Sequence, residues 1–296
     1  MSDPTPLKTV HHPVGNLFPR AETNAEVERF RLSSEQVAFY RENGFVRGPR
    51  VLDEHQIDVL REGLEKIRER QNPRTVELYE VDADYVRAPE QNVFHCLGAW
   101  MIDEGYHDIL FHPAITVPVS QLLDTPRVRL WHDQVFYKPP RHPGVVTWHQ
   151  DYSYWTRSIP ARHITCWIGL DDSTLESGCV QFVPGSHRWN LLPMVSLTKD
   201  MDAIRDVMTP EQLAQFKPVP MELKAGECSF HHSFTLHGSY GNNANHPRRG
   251  WYLISCIPKR ALDGKQPLLA HTPIVPEGQI IEGDNYPIVL DISSHA

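Results

Sequence analysis

The residues most able to do chemistry are His149 and Asp151 in the stretch Thr147-Trp148-His149-Gln150-Asp151. Two positions apart on an extended strand, their side chains project from one face, so an imidazole nitrogen and a carboxylate oxygen can converge on a metal ion. The pair alone says little, because 17 histidines and 37 acidic residues place about two such pairs in a chain of this length by chance. A facial triad needs another histidine from a distant strand, and Phe230 to Ser239 offers His231, His232 and His237. Two imidazoles and one carboxylate on one face of an octahedral ion leave three positions open, the arrangement of non-haem Fe(II) oxygenases. Downstream, Arg248 and Arg249 differ in strand parity, so one of them faces inward, where a guanidinium can grip a carboxylate through paired hydrogen bonds.

These residues must be positioned by β-structure. From Arg127 onward the chain runs in short stretches rich in β-branched and aromatic residues, at 128–137, 163–170, 180–183 and 251–257. Turn residues such as Pro139-Pro140, Pro184-Gly185 and Ala225-Gly226 separate them, which predicts a sandwich or barrel over 126–290 rather than a parallel α/β sheet. Residues 31–125 are expected to be helical support. Ser33 with Gln36, and Asp53 with Gln56, are capping-box pairs. Ile57, Leu60, Leu64 and Ile67 recur at helical spacing, which predicts an amphipathic helix over 54–70. A third helix is expected over 113–123. Thr209-Pro210-Glu211-Gln212 caps a helix over 210–216, within an insertion over 190–220 that is expected to act as a lid. Residues 1–30 show no periodicity and read as an irregular arm before one domain over 31–296.

Composition narrows the function. The chain has 296 residues, 40% hydrophobic and 22% charged, with a formal charge of −8; this is a globular composition without the basic footprint of a nucleic-acid binder. Five cysteines without a CxxC spacing do not make a disulfide framework, and the reducing cytoplasm is the expected setting. No apolar run is long enough to span a bilayer.

Further elements carry a resemblance. Lys138-Pro139-Pro140, Trp148-His149-Gln150-Asp151, Gly178-Cys179, Pro184-Gly185-Ser186-His187, Gly226-Glu227 and His237-Gly238-Ser239 followed by Arg248 together resemble the phytanoyl-CoA dioxygenase family of Fe(II)- and 2-oxoglutarate-dependent oxygenases. The likeness extends over about 33–260, including Leu110-Phe111-His112-Pro113 before the barrel. It implies a double-stranded β-helix, a jelly-roll, cupin-like barrel, mainly β with flanking helices. It implies Fe(II) held by His149, Asp151 and His237, selecting His237 because the family's second histidine stands in an HGS-like motif eleven residues before its 2-oxoglutarate-binding arginine. Arg248 is then the partner of the cosubstrate's distal carboxylate, Ser239 a supporting hydroxyl, Trp167 an aromatic wall of that pocket, and dioxygen the oxidant. The family usually has Asp where Glu227 follows Gly226, at a turn position.

The implied reaction is hydroxylation of an unactivated C–H bond with release of succinate and CO2, since the intact Asp151 leaves no room for the halide that related halogenases bind. Desaturation, ring closure and peroxidation would use the same motif. A non-catalytic metal- or 2-oxoglutarate-binding jelly roll and a zinc hydrolase are the alternatives from other classes. Gln134, Tyr137, Tyr152, Tyr154 and Trp155 are the expected substrate contacts, and their character suggests a small, largely apolar organic molecule rather than coenzyme A, nucleic acid or membrane. His231 shares parity with His237 and reads as a hydrogen-bonded core histidine or a proton relay. Cys166 and Cys179 read as buried small hydrophobes. Oligomeric state is not encoded in any of these patterns.

Overall fold

The computed structural model describes residues 6–79, 81, 93–196 and 200–293. Thirteen strands among these residues are Phe45–Arg50 (β1), Phe94–Leu97 (β2), Arg127–Lys138 (β3), Val146–His149 (β4), Ser158–Ile159 (β5), His163–Gly169 (β6), Gln181–Phe182 (β7), Val219–Pro220 (β8), Glu227–His232 (β9), His237–Ser239 (β10), Arg248–Cys256 (β11), Arg260–Ala261 (β12) and Ile288–Asp291 (β13). They form a major sheet in the order β1-β9-β6-β11-β3-β13, with β2 also on β3, and a minor sheet in the order β4-β10-β7-β8. Every ladder is antiparallel. This is the jelly-roll half-barrel expected from the alternation of short strands and turns.

The longest ladder, β3 on β11, runs from Arg248 opposite Lys138 to Cys256 opposite Arg129. It brings into one register two strands far apart in sequence, and both carry side chains into the barrel. The helix Glu54–Arg68 starts where expected: the Asp53 side chain accepts from the Gln56 N–H and the Gln56 side chain returns the bond. Its Ile57, Leu60, Leu64 and Ile67 are all buried in the main core, worth roughly 2 kcal/mol each. The helices Ser34–Asn43, Pro113–Leu123 and Pro210–Gln215 likewise follow their capping signals.

One expectation is corrected and another made more specific. The arm is not irregular throughout: Thr23 and Glu26 make a reciprocal capping box for a helix Asn24–Arg29. Phe18 is buried, and the N–H groups of Val14 and Gly15 donate to the Asp108 carboxylate at 2.8 and 2.6 Å. Periodicity misses that helix because its six residues bury only Val27, too few positions to make a stripe. The described part of the 190–220 insertion packs mainly on the outer face of the minor sheet, while its Val195 carbonyl accepts from the Tyr154 hydroxyl at the cavity wall at 2.8 Å. Leu192, Ile204 and Met208 pack with Trp148, Val183 and Leu236 in a second cluster, and Phe216 meets the Trp148 ring edge-on. Trp148 alternates with His149 along β4 and so points to the opposite face; the insertion covers that outward face. Residues 197–199 of the insertion lie outside the described residues.

Candidate active site

β4 and β10 pair so that His149 stands directly opposite His237, their ring centroids 4.2 Å apart. Asp151 follows at the end of β4, where the chain turns away, and one ligand atom from each of the three residues lies within 4.8 Å of the others. Asp151 Oδ1 is 3.4 Å from His149 Nε2 and 3.5 Å from His237 Nε2. Each imidazole is locked by the same device, a bond from Nδ1 to the carbonyl two residues earlier: Thr147 at 2.7 Å and Thr235 at 2.9 Å. A proton on Nδ1 leaves each Nε2 lone pair aimed at the shared centre, as metal-ligating histidines require. Asp151 Oδ2 is held separately, accepting from Thr165 Oγ1 at 2.7 Å and from His231 Nε2 at 3.2 Å.

The protonation states suit a cation. Burial alone would push the Asp151 carboxyl up, but the neighbouring imidazoles, His237 foremost and His231 through its hydrogen bond, outweigh it and hold the group well below the usual carboxylate range. Burial, reinforced by the neighbouring His149, pushes His237 well below the ordinary histidine value, so it stays a neutral donor. Two imidazoles and one carboxylate on a common face fit a hexacoordinate Fe(II).

Beyond the triad, a second polar feature points to an anion. Arg248 is 1% exposed, and neither its Nε nor its Nη1 has a hydrogen-bond partner. Its guanidinium lies 5.5 Å from the Trp167 ring centroid. Lys138, opposite Arg248 across the β3–β11 ladder, is also fully buried and donates to Ser239 Oγ at 2.7 Å and to the Tyr240 carbonyl at 2.6 Å. Burial, then the Arg248 charge, push the Lys138 ammonium well below its ordinary value. Two buried cations without an ion pair among the described residues form a cradle for a carboxylate. Arg249, by contrast, turns outward to Asp171 at 3.0 Å and Glu65 at 3.1 Å, as alternation requires.

A cavity of about 170 Å³ opens beside the triad. Of the substrate contacts read from sequence, Gln134, Tyr154 and Trp155 line it, as does Ser239. Tyr137 does not: it has the opposite parity to Gln134 on β3, and its ring lies under the Arg68 and Arg249 guanidinia outside the barrel. Tyr152 turns away too, donating to the Ser158 carbonyl and stacking on Phe234. Trp167 supports Arg248 and meets Tyr252 edge-on without lining the cavity itself. Sequence reasoning misses His95, His132, Thr165 and Tyr252 on the wall. Parity could find His132, two before Gln134, and Tyr252, four after Arg248; nothing local marks His95, which arrives only because β2 pairs with β3.

Residues 40–250 match the family model for phytanoyl-CoA dioxygenase. The chain belongs to the phytanoyl-CoA dioxygenase family. As a member it is an iron- and 2-oxoglutarate-dependent oxygenase, and the triad and the buried Arg248 fit those two cofactors and dioxygen. Among its relatives, the methylphosphonate hydroxylase of Gimesia maris is 27% identical over 224 residues, 75% of this chain and 80% of that one. The peroxisomal phytanoyl-CoA dioxygenase of Rattus norvegicus is 26% identical over 277 residues, 86% and 77% of the two chains. The solved structure of SnoK, a non-haem α-ketoglutarate-dependent carbocyclase from nogalamycin biosynthesis, superposes with a TM-score of 0.71 at 25% identity, covering 88% of this chain and 97% of SnoK. The epimerase SnoN, solved with Fe3+, α-ketoglutarate and nogalamycin RO, shares the fold with a TM-score of 0.64 at 21% identity, covering 90% and 99%. No helix among the described residues is long and apolar enough to cross a membrane.

Proposed function

We propose that this family member hydroxylates a C–H bond of a small, largely apolar molecule, with His149, Asp151 and His237 holding Fe(II) and Arg248 and Ser239 binding the distal carboxylate of 2-oxoglutarate. The observation that carries the reading is the coexistence, in one barrel, of a converged triad and a fully buried arginine with unpartnered nitrogens. Bound iron with 2-oxoglutarate supplies the oxidising power, releasing succinate and CO2. The protein's own contribution is positional. Thr147 and Thr235 aim the two imidazoles, Thr165 and His231 keep Asp151 from swinging, and Lys138 fixes the Ser239 hydroxyl at the carboxylate cradle. Tyr154 and Trp155 wall the cavity from water.

Anaerobic addition of Fe(II) and 2-oxoglutarate tests the reading: a visible charge-transfer band, followed by oxygen-dependent succinate release, is expected. A band without any turnover would identify a binding protein, and activity restored by Zn(II) with Arg248 dispensable would identify a hydrolase. The likeness to the SnoK carbocyclase favours oxidative ring closure as the second reading. Product formed under 18O2 separates them, because hydroxylation carries the label into the product and ring closure does not.

A further inference from the structure

The wall of the cavity carries information about charge. Among the described residues that line it, Asp151 is the one carboxylate and no lysine or arginine is present; that carboxylate belongs to the metal triad. The nearby buried cations, Lys138 and Arg248, are engaged by Ser239 and by the cosubstrate site. No lysine or arginine is therefore left on the described wall to neutralise a phosphate, phosphonate or carboxylate on the substrate, and an enclosed anion without a partner is strongly disfavoured.

One group of polar side chains lies together on the β2–β3 part of the wall. β3 places His132 and Gln134 two residues apart, and β2 sets His95 against them. His132 is buried, which pushes it down to about 3, so its imidazole is uncharged. Its Nδ1 lies 3.3 Å from the Asp133 carbonyl and carries the proton for that bond, which leaves Nε2 as an acceptor. The Gln134 Oε1 accepts from His95 Nε2 at 3.3 Å; the amide nitrogen of Gln134 is then the donor end. An acceptor and a donor side by side match a hydroxyl group, which both gives and takes a hydrogen bond. Beside them the wall is apolar at Trp155, whose ring meets His132 edge-on, at Ile254, opposite His132 across the β3–β11 ladder, and at Leu268 and Leu269.

We infer that this site selects an uncharged, mostly apolar alcohol or phenol, whose hydroxyl is held between His132 and Gln134 while its carbon skeleton rests against Trp155 and the Leu268–Leu269 segment. The inference rests on the reading of Arg248 and Lys138 as the 2-oxoglutarate site. It sets the expected substrate of this chain apart from the phosphonate and the coenzyme A thioester that the names of two relatives state.

The test is calorimetric titration of the anaerobic Fe(II)·2-oxoglutarate enzyme with three probes of one skeleton: 2-naphthol, 2-naphthoate and 2-naphthyl phosphate. The charge-transfer band is recorded first, and its absence would overturn the iron and 2-oxoglutarate reading rather than this one. With the band present, 2-naphthol is expected to bind at least tenfold more tightly than either anion. In Gln134→Leu and in His132→Phe it should fall to the level of 2-methylnaphthalene, and Gln134→Lys should raise 2-naphthoate binding at least tenfold. Equal or tighter binding of an anion by the native enzyme, failure of 2-naphthol to bind up to its solubility, or indifference of 2-naphthol to both apolar variants would overturn the inference.

Discussion

Oδ2 of Asp151 accepts a hydrogen bond from Thr165 Oγ1 at 2.7 Å while Oδ1 of the same carboxylate faces both imidazoles. The two oxygens thus have separate duties, one for the centre and one for the β6 strand. Loss of such a supporting contact typically costs about 10- to 100-fold in metal affinity. Thr165→Val, which keeps the shape and removes the hydroxyl, is expected to weaken Fe(II) binding by about that factor, read by anaerobic titration of the metal-free protein. Asp151→Ala should abolish iron-dependent turnover with the circular dichroism spectrum unchanged.

His231 reaches the same Oδ2 at 3.2 Å but lies outside the converged set of three. On the proposed assignment it supports a ligand and is not one, so His231→Gln, which retains a donor, should keep the charge-transfer band, whereas His237→Ala should eliminate it. Iron lost in the first variant and retained in the second would exchange the roles of the two histidines.

Arg248 and Arg249 are adjacent in sequence and opposite in environment. Arg248→Ala removes the buried guanidinium with unpartnered nitrogens and should raise the 2-oxoglutarate KM by at least about 100-fold, a charge-assisted pair in a buried site being worth about 3 kcal/mol. Arg249→Ala instead breaks half-buried ion pairs to Asp171 and Glu65, so its effect should appear in the urea midpoint and barely in KM. Steady-state succinate assays on both variants decide it, and the reverse order would place the wrong arginine in the barrel.

The alternation of Arg248 and Arg249 is legible in the sequence alone, as are the capped helices and the strand-rich half, because each follows from a local period or a local cap. The HxD pair becomes legible as chemistry only when a third ligand and an arginine stand at workable spacing. What stays hidden depends on tertiary pairing. His95 joins the cavity through the β2–β3 ladder, and the described part of the helical insertion packs on the outward Trp148, which no spacing within 190–220 encodes. Tyr137 is the reverse case: an odd step separates it from Gln134, so the strand that turns one inward turns the other outward.

Acid should unfold this protein early, and the histidines say why. Burial pushes His112 down to about 4, His132 to about 3 and His232 to about 4, while the unfolded chain protonates all three near about 6.5. A depressed folded value means stability that is present above the unfolded value and lost as pH falls towards the folded one. Asp133 opposes this, since burial raises it to about 6 against about 3.9 unfolded, so it gains stability as pH falls through that window. Near pH 5 these imidazoles, together with the buried His163 and His237, bind protons mainly in the unfolded chain and outnumber the raised carboxyls of Asp133 and Asp103, so stability falls as pH falls. Urea midpoints at pH 6.5, 5.5 and 4.5 in the presence of a chelator should fall steeply in that order. His132→Phe should lower the slope by about 1.4 kcal/mol per pH unit. A flat profile between pH 6.5 and 4.5 would show that these imidazoles are already protonated in the folded barrel, and with them the neutral wall at His132 would be lost.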